Sequence, residues 1–257
     1  MSQRIQKSRK CLSQPTTSSN TSQSSQNDED HRSNTQISHD QSLSSQEHAH
    51  HVGNVVKYIL AADHSKIPIV RSAISKAVNC QGKNFRAVMN SAQEVLRDVF
   101  GYKLVDVESG KFILCNTIKN DLPHLNFDEN VKNRYVLLFL VLTHIYMSGE
   151  VCTEGSLFDF LTKLEIISDG NMINETFGNV LELITIQFVR EKYIKLEKSD
   201  NDDESELKWG IRAHEELSVR SVMEFVSKVY DNRDIKTWPQ QYEGMLQKER
   251  MIAEEEN

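Results

Sequence analysis

Residues Tyr135–Met147 read YVLLFLVLTHIYM, and this stretch decides the fold. Val136 to Val141 is an unbroken apolar run, extended by Leu142, Ile145, Tyr146 and Met147. Thirteen residues are too few to cross a bilayer, which takes roughly 20. A helix apolar on every side but too short for a membrane belongs at the centre of a water-soluble core. His144 lies inside it with no Cys or His at ligand spacing nearby, so it reads as a hydrogen-bonded core histidine rather than a metal ligand.

Working outward from that helix, Gly149 closes it and Val151 is a short extended piece. Thr153 is placed to cap the next helix, with Glu154 complementing its dipole and Leu157, Phe160, Leu161 and Leu164 as its apolar stripe. After a loop over Ser168–Asn174, a third helix turns Val180, Leu183, Ile184 and Phe188 inward. Ile194 and Leu196 alternate with Lys195 and Glu197, and Leu207 and Trp209 return on the same parity after the acidic loop Asp200–Glu204, a β-hairpin wing. A last helix carries Val219, Val222, Met223, Val226, Val229 and Tyr230 on one face.

The same order occurs upstream. Val52, Val55, Val56, Ile59 and Leu60 fall at i, i+3, i+4, i+7 and i+8 of a first helix. Ile67-Pro68-Ile69 is extended, as the residue before proline prefers. A short helix points Val70, Ile74, Ala77 and Val78 inward, and a longer one carries Phe85, Val88, Met89, Ala92, Val95, Leu96 and Val99 up to Gly101. Tyr102–Val107 and Lys111–Cys115 form a hairpin about Glu108-Ser109-Gly110. Helix, short strand, helix, helix and hairpin is the order of a winged helix. The expected fold is mainly α with small β-hairpins, an α+β chain of tandem winged helices. The expected layout is a disordered Ser/Gln-rich tail over 1–50, winged-helix domain A over 51–118 and a linker over 119–130. Winged-helix domain B follows over 131–231, then a C-terminal tail over 232–257.

A length of 257 residues allows one or two domains, and a net charge of −7 disfavours a protein whose main task is to coat nucleic acid. Cys11, Cys80, Cys115 and Cys152 are far apart without a CxxC pair, and read as reduced intracellular thiols. Neither a secretion signal nor a run of 18 apolar residues is present, so no membrane association is expected. Arg4, Lys7, Arg9 and Lys10 are a thin basic cluster of the nuclear-import type. Ser2, Ser13, Ser22, Ser25 and Ser45 each precede Gln, resembling the clusters phosphorylated by DNA-damage checkpoint kinases, a pattern that also arises by chance in such a tail. His48, His50 and His51 read as solvated linker.

Carboxylates are plentiful, but none joins a His, a Cys or a Gly-rich loop in a catalytic constellation, so neither enzyme nor cofactor is expected. In domain B the helix expected to enter a DNA groove exposes Glu175, Asn179 and Glu182, which disfavours a sequence-reading transcription factor. In domain A, Lys83, Arg86, Asn90 and Arg97 share their helix with Glu94 and Asp98. Arg190, Lys192, Lys195, Lys198, Lys208 and Arg212 lie on or beside the second wing, either as phosphate contacts that read no sequence or as an ordinary solvated wing.

The stretches VKYILAADHSKIPIVRSAI (Val56–Ile74), VFGYKLVDV (Val99–Val107), ITIQFVREKYI (Ile184–Ile194) and KWGIRAHEE (Lys208–Glu216) resemble the MAGE-homology domain of the melanoma-antigen and necdin family. DIKTWPQQYEGML (Asp234–Leu246) is similar to its G-type branch, the non-SMC element three subunits of the Smc five/six complex. The resemblance implies a non-enzymatic scaffold that binds a RING-type ubiquitin ligase subunit (non-SMC element one) and a kleisin subunit (non-SMC element four), with the SMC ATPases as indirect partners. It also implies weak contact with double-stranded DNA in repair and recombination, and a nuclear, chromatin-associated location with a cytoplasmic pool as second placement. Neither a membrane nor a small-molecule substrate is implied. A leucine pair on the first helix supports the family's RING contact, and Ile59 and Leu60 stand at the matching positions. A free-standing ligase adaptor of the general MAGE type is the alternative.

Overall fold

A capping box sets the first ordered turn. In the computed structural model, which describes residues 43–108, 110–117, 128–168, 170–198 and 204–255, the Glu47 backbone N–H donates to Ser44 Oγ at 3.3 Å. The Ser44 N–H donates back to the Glu47 carboxylate at 3.0 Å. The exchange satisfies two N–H groups that a helix start leaves orphaned. Helix α1 (Ser45–Ala62) therefore begins well before the apolar stripe at Val52, and residues 45–50, expected in the disordered tail, are helical. His48, on this added length, lies 3.2 Å from Ser91 Oγ. The readings of the basic cluster and of Ser2, Ser13, Ser22 and Ser25 lie outside the described residues.

The first winged helix continues with β1 (Ile69–Val70), α2 (Arg71–Ala77), α3 (Gly82–Asp98), β2 (Tyr102–Glu108) and β3 (Lys111–Asn116). The strands pair antiparallel in the order β1-β3-β2. Val55, Ile59, Ile74, Val88, Ala92 and Leu96 have no exposed surface and interlock α1, α2 and α3. Strand alternation turns Val70 outward once Ile69 is inward, and Val99 lies past the last turn of α3, so both are exposed against expectation. Ala77 is also exposed.

The central helix is α4 (Glu129–Met147), followed by β4 (Val151–Thr153) and α5 (Glu154–Lys163), where Thr153 accepts from the Ser156 N–H as the cap. Leu137, Leu138, Val141, Leu142, Ile145 and Tyr146 are buried, while Val136 is about half exposed, so α4 is central with one flank at the surface. Leu164, just beyond α5, is exposed too. A small hairpin, β5 (Ile173–Asn174) with β6 (Gly178–Asn179), precedes α6 (Val180–Glu182). The helix widens into a π-turn over Leu183–Gln187 before α7 (Phe188–Arg190). The wing is β7 (Ile194–Lys198) and β8 (Ser205–Trp209), in a sheet ordered β4-β8-β7 with Lys195 opposite Lys208. Then come α8 (Ile211–Glu216) and α9 (Val219–Val229). Val229 and Tyr230 are exposed because the helix ends there, and the Tyr230 ring leans edge-on against Trp238.

The segment after α9 folds onto the second core. Helix α10 (Pro239–Glu255) buries Met245 completely, and Tyr146 Oη donates to the Gln241 carbonyl at 2.6 Å. Arg220 grips Glu249 through two hydrogen bonds of 2.7 and 2.8 Å. Met245, with the half-buried Tyr242 and Leu246 beside it and a few polar clamps, holds an otherwise hydrophilic helix.

The two winged helices share an apolar contact. Phe112, Ile113, Leu114 and Cys115 are four successive buried residues. Phe112 and Leu114 enter the first core, while Ile113 and Cys115 pack with Ile211 of α8. Gly210 makes the turn into α8 possible: its N–H donates to the Tyr193 carbonyl at 2.7 Å, and a Cβ there would lie 2.3 Å from the Lys192 carbonyl oxygen. Gly210→Ala is expected to cost about 1–3 kcal/mol through forced backbone displacement, measured by urea denaturation, whereas Gly53→Ala, with open space around its Cβ position, is expected not to destabilise.

Candidate partner and phosphate-contact surfaces

The positions that match the family's leucine pair part company. Ile59 continues the Val52, Val55, Val56 stripe into the core and has no exposed surface, so it cannot touch a partner directly. Leu60, one residue around the helix, is half-buried and packs on the flank of that core. Of the two, Leu60 alone reaches the surface.

The six candidate phosphate contacts also separate. Lys195 is bound to Glu197, and Lys208 lies 2.6 Å from Glu197 and 3.2 Å from Glu206. The hydrogen bonds from Lys195 and Lys208 hold the Glu197 carboxyl down at about 2. Lys192 reaches across to Glu108 of the first wing at 2.8 Å, and Glu108, bonded also by Lys111, is likewise held at about 2. These carboxylates stay ionised throughout the physiological range and offset the lysines beside them. Arg190 and Lys198 are exposed.

Arg212 is not a surface cation at all, because its side chain is fully buried between the two winged helices. Nε donates to the Glu191 carbonyl at 2.8 Å. Nη1 donates to the Leu114 carbonyl at 2.9 Å and to Glu216 at 3.1 Å, and Nη2 donates to the Lys66 carbonyl at 3.1 Å. Its guanidinium lies 5.6 Å from the Tyr193 ring centre, and Tyr193 Oη donates to Glu216 at 2.6 Å. Burial drives the Tyr193 hydroxyl upward, with the Glu216 charge adding to it. Around this centre Asp63 binds Lys66, and Arg134 binds Glu191. Burial raises the Glu191 carboxyl even though Arg134 opposes it. The sequence places Arg212 beside a wing, but periodicity carries no information about a second domain closing over it.

The expected groove-entering helix of the second unit is also rearranged. Glu175 lies in the β5–β6 turn, where Asn174 Oδ1 accepts from the Thr176 and Phe177 N–H groups. Asn179 is a helix cap that accepts from the Glu182 N–H. Only Glu182 stands on the helix, exposed on its first turn. Ile173, Leu181 and Ile186 are exposed apolar residues in this region that the sequence did not single out.

His144 stacks on Phe160 at 4.3 Å with Ser156 Oγ 3.5 Å from Nε2, and burial lowers its pKa. Among the described residues no group of three or more His, Cys, Asp and Glu could hold a metal, and no helix is long and apolar enough to cross a membrane. Burial pushes the Cys115 thiol up to about 12 and that of Cys152 to about 11, which leaves both as unreactive thiols.

The MAGE homology domain model matches residues 55–220. The non-structural maintenance of chromosomes element 3 homolog of Homo sapiens is 36% identical over 213 residues, covering 80% of this chain and 67% of that protein. Its Mus musculus counterpart is 35% identical over 201 residues, 74% of this chain and 70% of that protein. A chain in a solved Nse1-Nse3-Nse4 complex superposes with a TM-score of 0.71 at 34% identity, covering 79% of this chain and 100% of the other.

Arg212→Met is expected to lower stability by about 3–5 kcal/mol, because it strips the partners from buried carbonyls and carboxylates. Arg190→Met is expected to stay within about 0.5 kcal/mol. Chemical denaturation of the two variants side by side measures the difference.

Proposed function

The chain belongs to the MAGE homology family, and on that premise we propose that it is a non-enzymatic scaffold subunit of a Smc five/six-type chromosome-maintenance complex. In this reading it joins a RING-type ubiquitin ligase subunit to a kleisin subunit. It also touches double-stranded DNA without reading sequence, in repair and recombination, in the nucleus. The observation that carries the reading is the likeness to a chain of the Nse1-Nse3-Nse4 complex along that chain's whole length.

The physical features agree with such a role. The described cysteines are buried and His144 is stacked on an aromatic ring, arrangements that serve packing rather than catalysis. The ligase subunit docks on the first winged helix about Leu60, and the kleisin segment covers exposed apolar residues of the second, among them Leu181 and Ile186. Two domains keyed together at Arg212 hold these partners at a fixed spacing, which is what a scaffold needs to supply.

Purification of the tagged full-length chain from nuclear extract tests the proposal. A RING protein, a kleisin and two large SMC ATPases are expected to co-elute. A RING protein alone would move the assignment to a free-standing MAGE-type ligase adaptor, and neither partner would overturn both readings. Leu60→Asp is expected to lose the RING protein while keeping its wild-type circular dichroism. Ile59→Asp is expected to unfold the first winged helix, since it puts a charge into a fully buried site.

A further inference from the structure

All five Ser-Gln pairs of the chain fall within its first 46 residues, and none occurs in residues 47–257. Residues 1–46 hold 13 Ser and 8 Gln, and five of those eight Gln follow a Ser. A random order of the same residues gives about two such pairs, so the pairing exceeds what a biased composition supplies. Four of the five serines lie outside the described residues, and Ser45 is the one the structure places.

Ser45 is exposed and is the first residue of α1, directly after the extended Ser44 cap (φ −61°, ψ 156°). A kinase takes its substrate as extended chain, and a helix start opens at nearly zero cost, so this serine can be presented. The turns that follow it are weakly held. From Ser45 to His51 only His48 and His51 are half-buried, and the other five side chains are exposed. His48 Nε2 lies 3.2 Å from Ser91 Oγ of α3. His51 adds a cost, because its Nδ1 is buried with no hydrogen-bond partner among the described residues. The first two turns of α1 are therefore poised between docked and frayed.

We propose that Ser45 is a phosphorylation site for a protein kinase that selects Gln after Ser, and that its phosphate fixes the first two turns of α1 against α3. The γ-phosphoryl group of ATP passes to Ser45 Oγ, the hydroxyl proton goes to the kinase's base, and ADP leaves. The new charge stands at the positive end of the helix dipole, where anions stabilise. It shares a face with His48, three positions on, whereas Glu47, two positions on, is turned away. The Glu47 carboxylate is also tied back to Ser44 by hydrogen bonds of 2.8 and 3.0 Å. Attraction to the helix start and to His48 thus outweighs repulsion from one averted carboxylate. Ser44 is unsuited to the same role: it precedes Ser45 rather than Gln, and its hydroxyl is the cap that accepts from the Glu47 N–H. The site is independent of the scaffold reading.

Incubation of the purified full-length chain with ATP and a Ser-Gln-directed kinase, followed by mass spectrometry, tests the site. The variant Ser2→Ala, Ser13→Ala, Ser22→Ala, Ser25→Ala and Thr35→Ala removes the other Ser-Gln pairs and the Thr35-Gln36 pair. It is expected to take up a single phosphate, at Ser45, and a further Ser45→Ala is expected to abolish it. No phosphate at Ser45 would overturn the site, and phosphorylation of a free peptide of residues 39–52 would then show that the fold shields it. Hydrogen exchange of the phosphorylated against the unmodified chain reads the role of the phosphate. The amides of His48–His51 are expected to exchange about two- to fivefold more slowly, with those of α9 unchanged. Equal or faster exchange over His48–His51 would overturn that role.

Discussion

The structure depends on one buried guanidinium. Taking an arginine out of water costs several kcal/mol unless its donors are satisfied where it arrives. Arg212 meets that condition with backbone carbonyls from three separate segments, at Lys66, Leu114 and Glu191, and with the Glu216 carboxylate. Two of those carbonyls belong to the first winged helix and one to the second, so the side chain is satisfied only when the two are together. The hydrophobic part of the contact, Ile211 on Ile113 and Cys115, brings the surfaces close. The charge selects the register, since a displaced domain leaves a buried cation unpaired. Gly210 completes the device by letting the backbone pass close enough to Lys192 to aim the side chain.

That geometry also decides where charge is available. Formation of the interface consumes Arg212 and draws Lys192 and Lys103 into ion pairs with Glu108 and Glu215 across the two halves. On the wing itself, Lys195 and Lys208 are matched by Glu197 and Glu206. Residues 64–93 of the first unit, by contrast, hold five Lys and Arg and no Asp or Glu in an otherwise acidic protein. Net charge alone described the molecule poorly, because the sign reverses locally.

Much of the fold was legible in the sequence, wherever an element faces a single core. The stripes of α1 and α3, the alternation of the second wing and the Thr153 cap all follow from one apolar side and one wet side, and the structure repeats them. Errors arose where an element faces two surfaces or none. Phe112-Ile113-Leu114-Cys115 is an unbroken apolar run because both faces of β3 are covered, a signal that was present but read only as a hairpin arm. Arg212 looked like a wing cation because no periodicity reports a second domain. Helix α10 was hidden by polarity, with Met245 as its one fully buried residue. Ser44 and Glu47 carried a capping box inside a Ser/Gln-rich stretch that composition alone assigned to disorder. For the candidate sites, residue type and position were readable but exposure was not, which is why Ile59 and Arg212 moved inward while Leu60 stayed at the surface.

The central claim is that the two winged helices form one rigid block, so that partners bound to either half are held at a set spacing. The distance between spin labels at the exposed positions Ser72 on α2 and Lys228 on α9, each changed to Cys with Cys11→Ser, tests it most directly by pulsed electron resonance. A single narrow distance distribution in the free protein, unchanged when partners bind, is the predicted result. A broad or two-peaked distribution would contradict it, because the halves would then move independently despite Arg212.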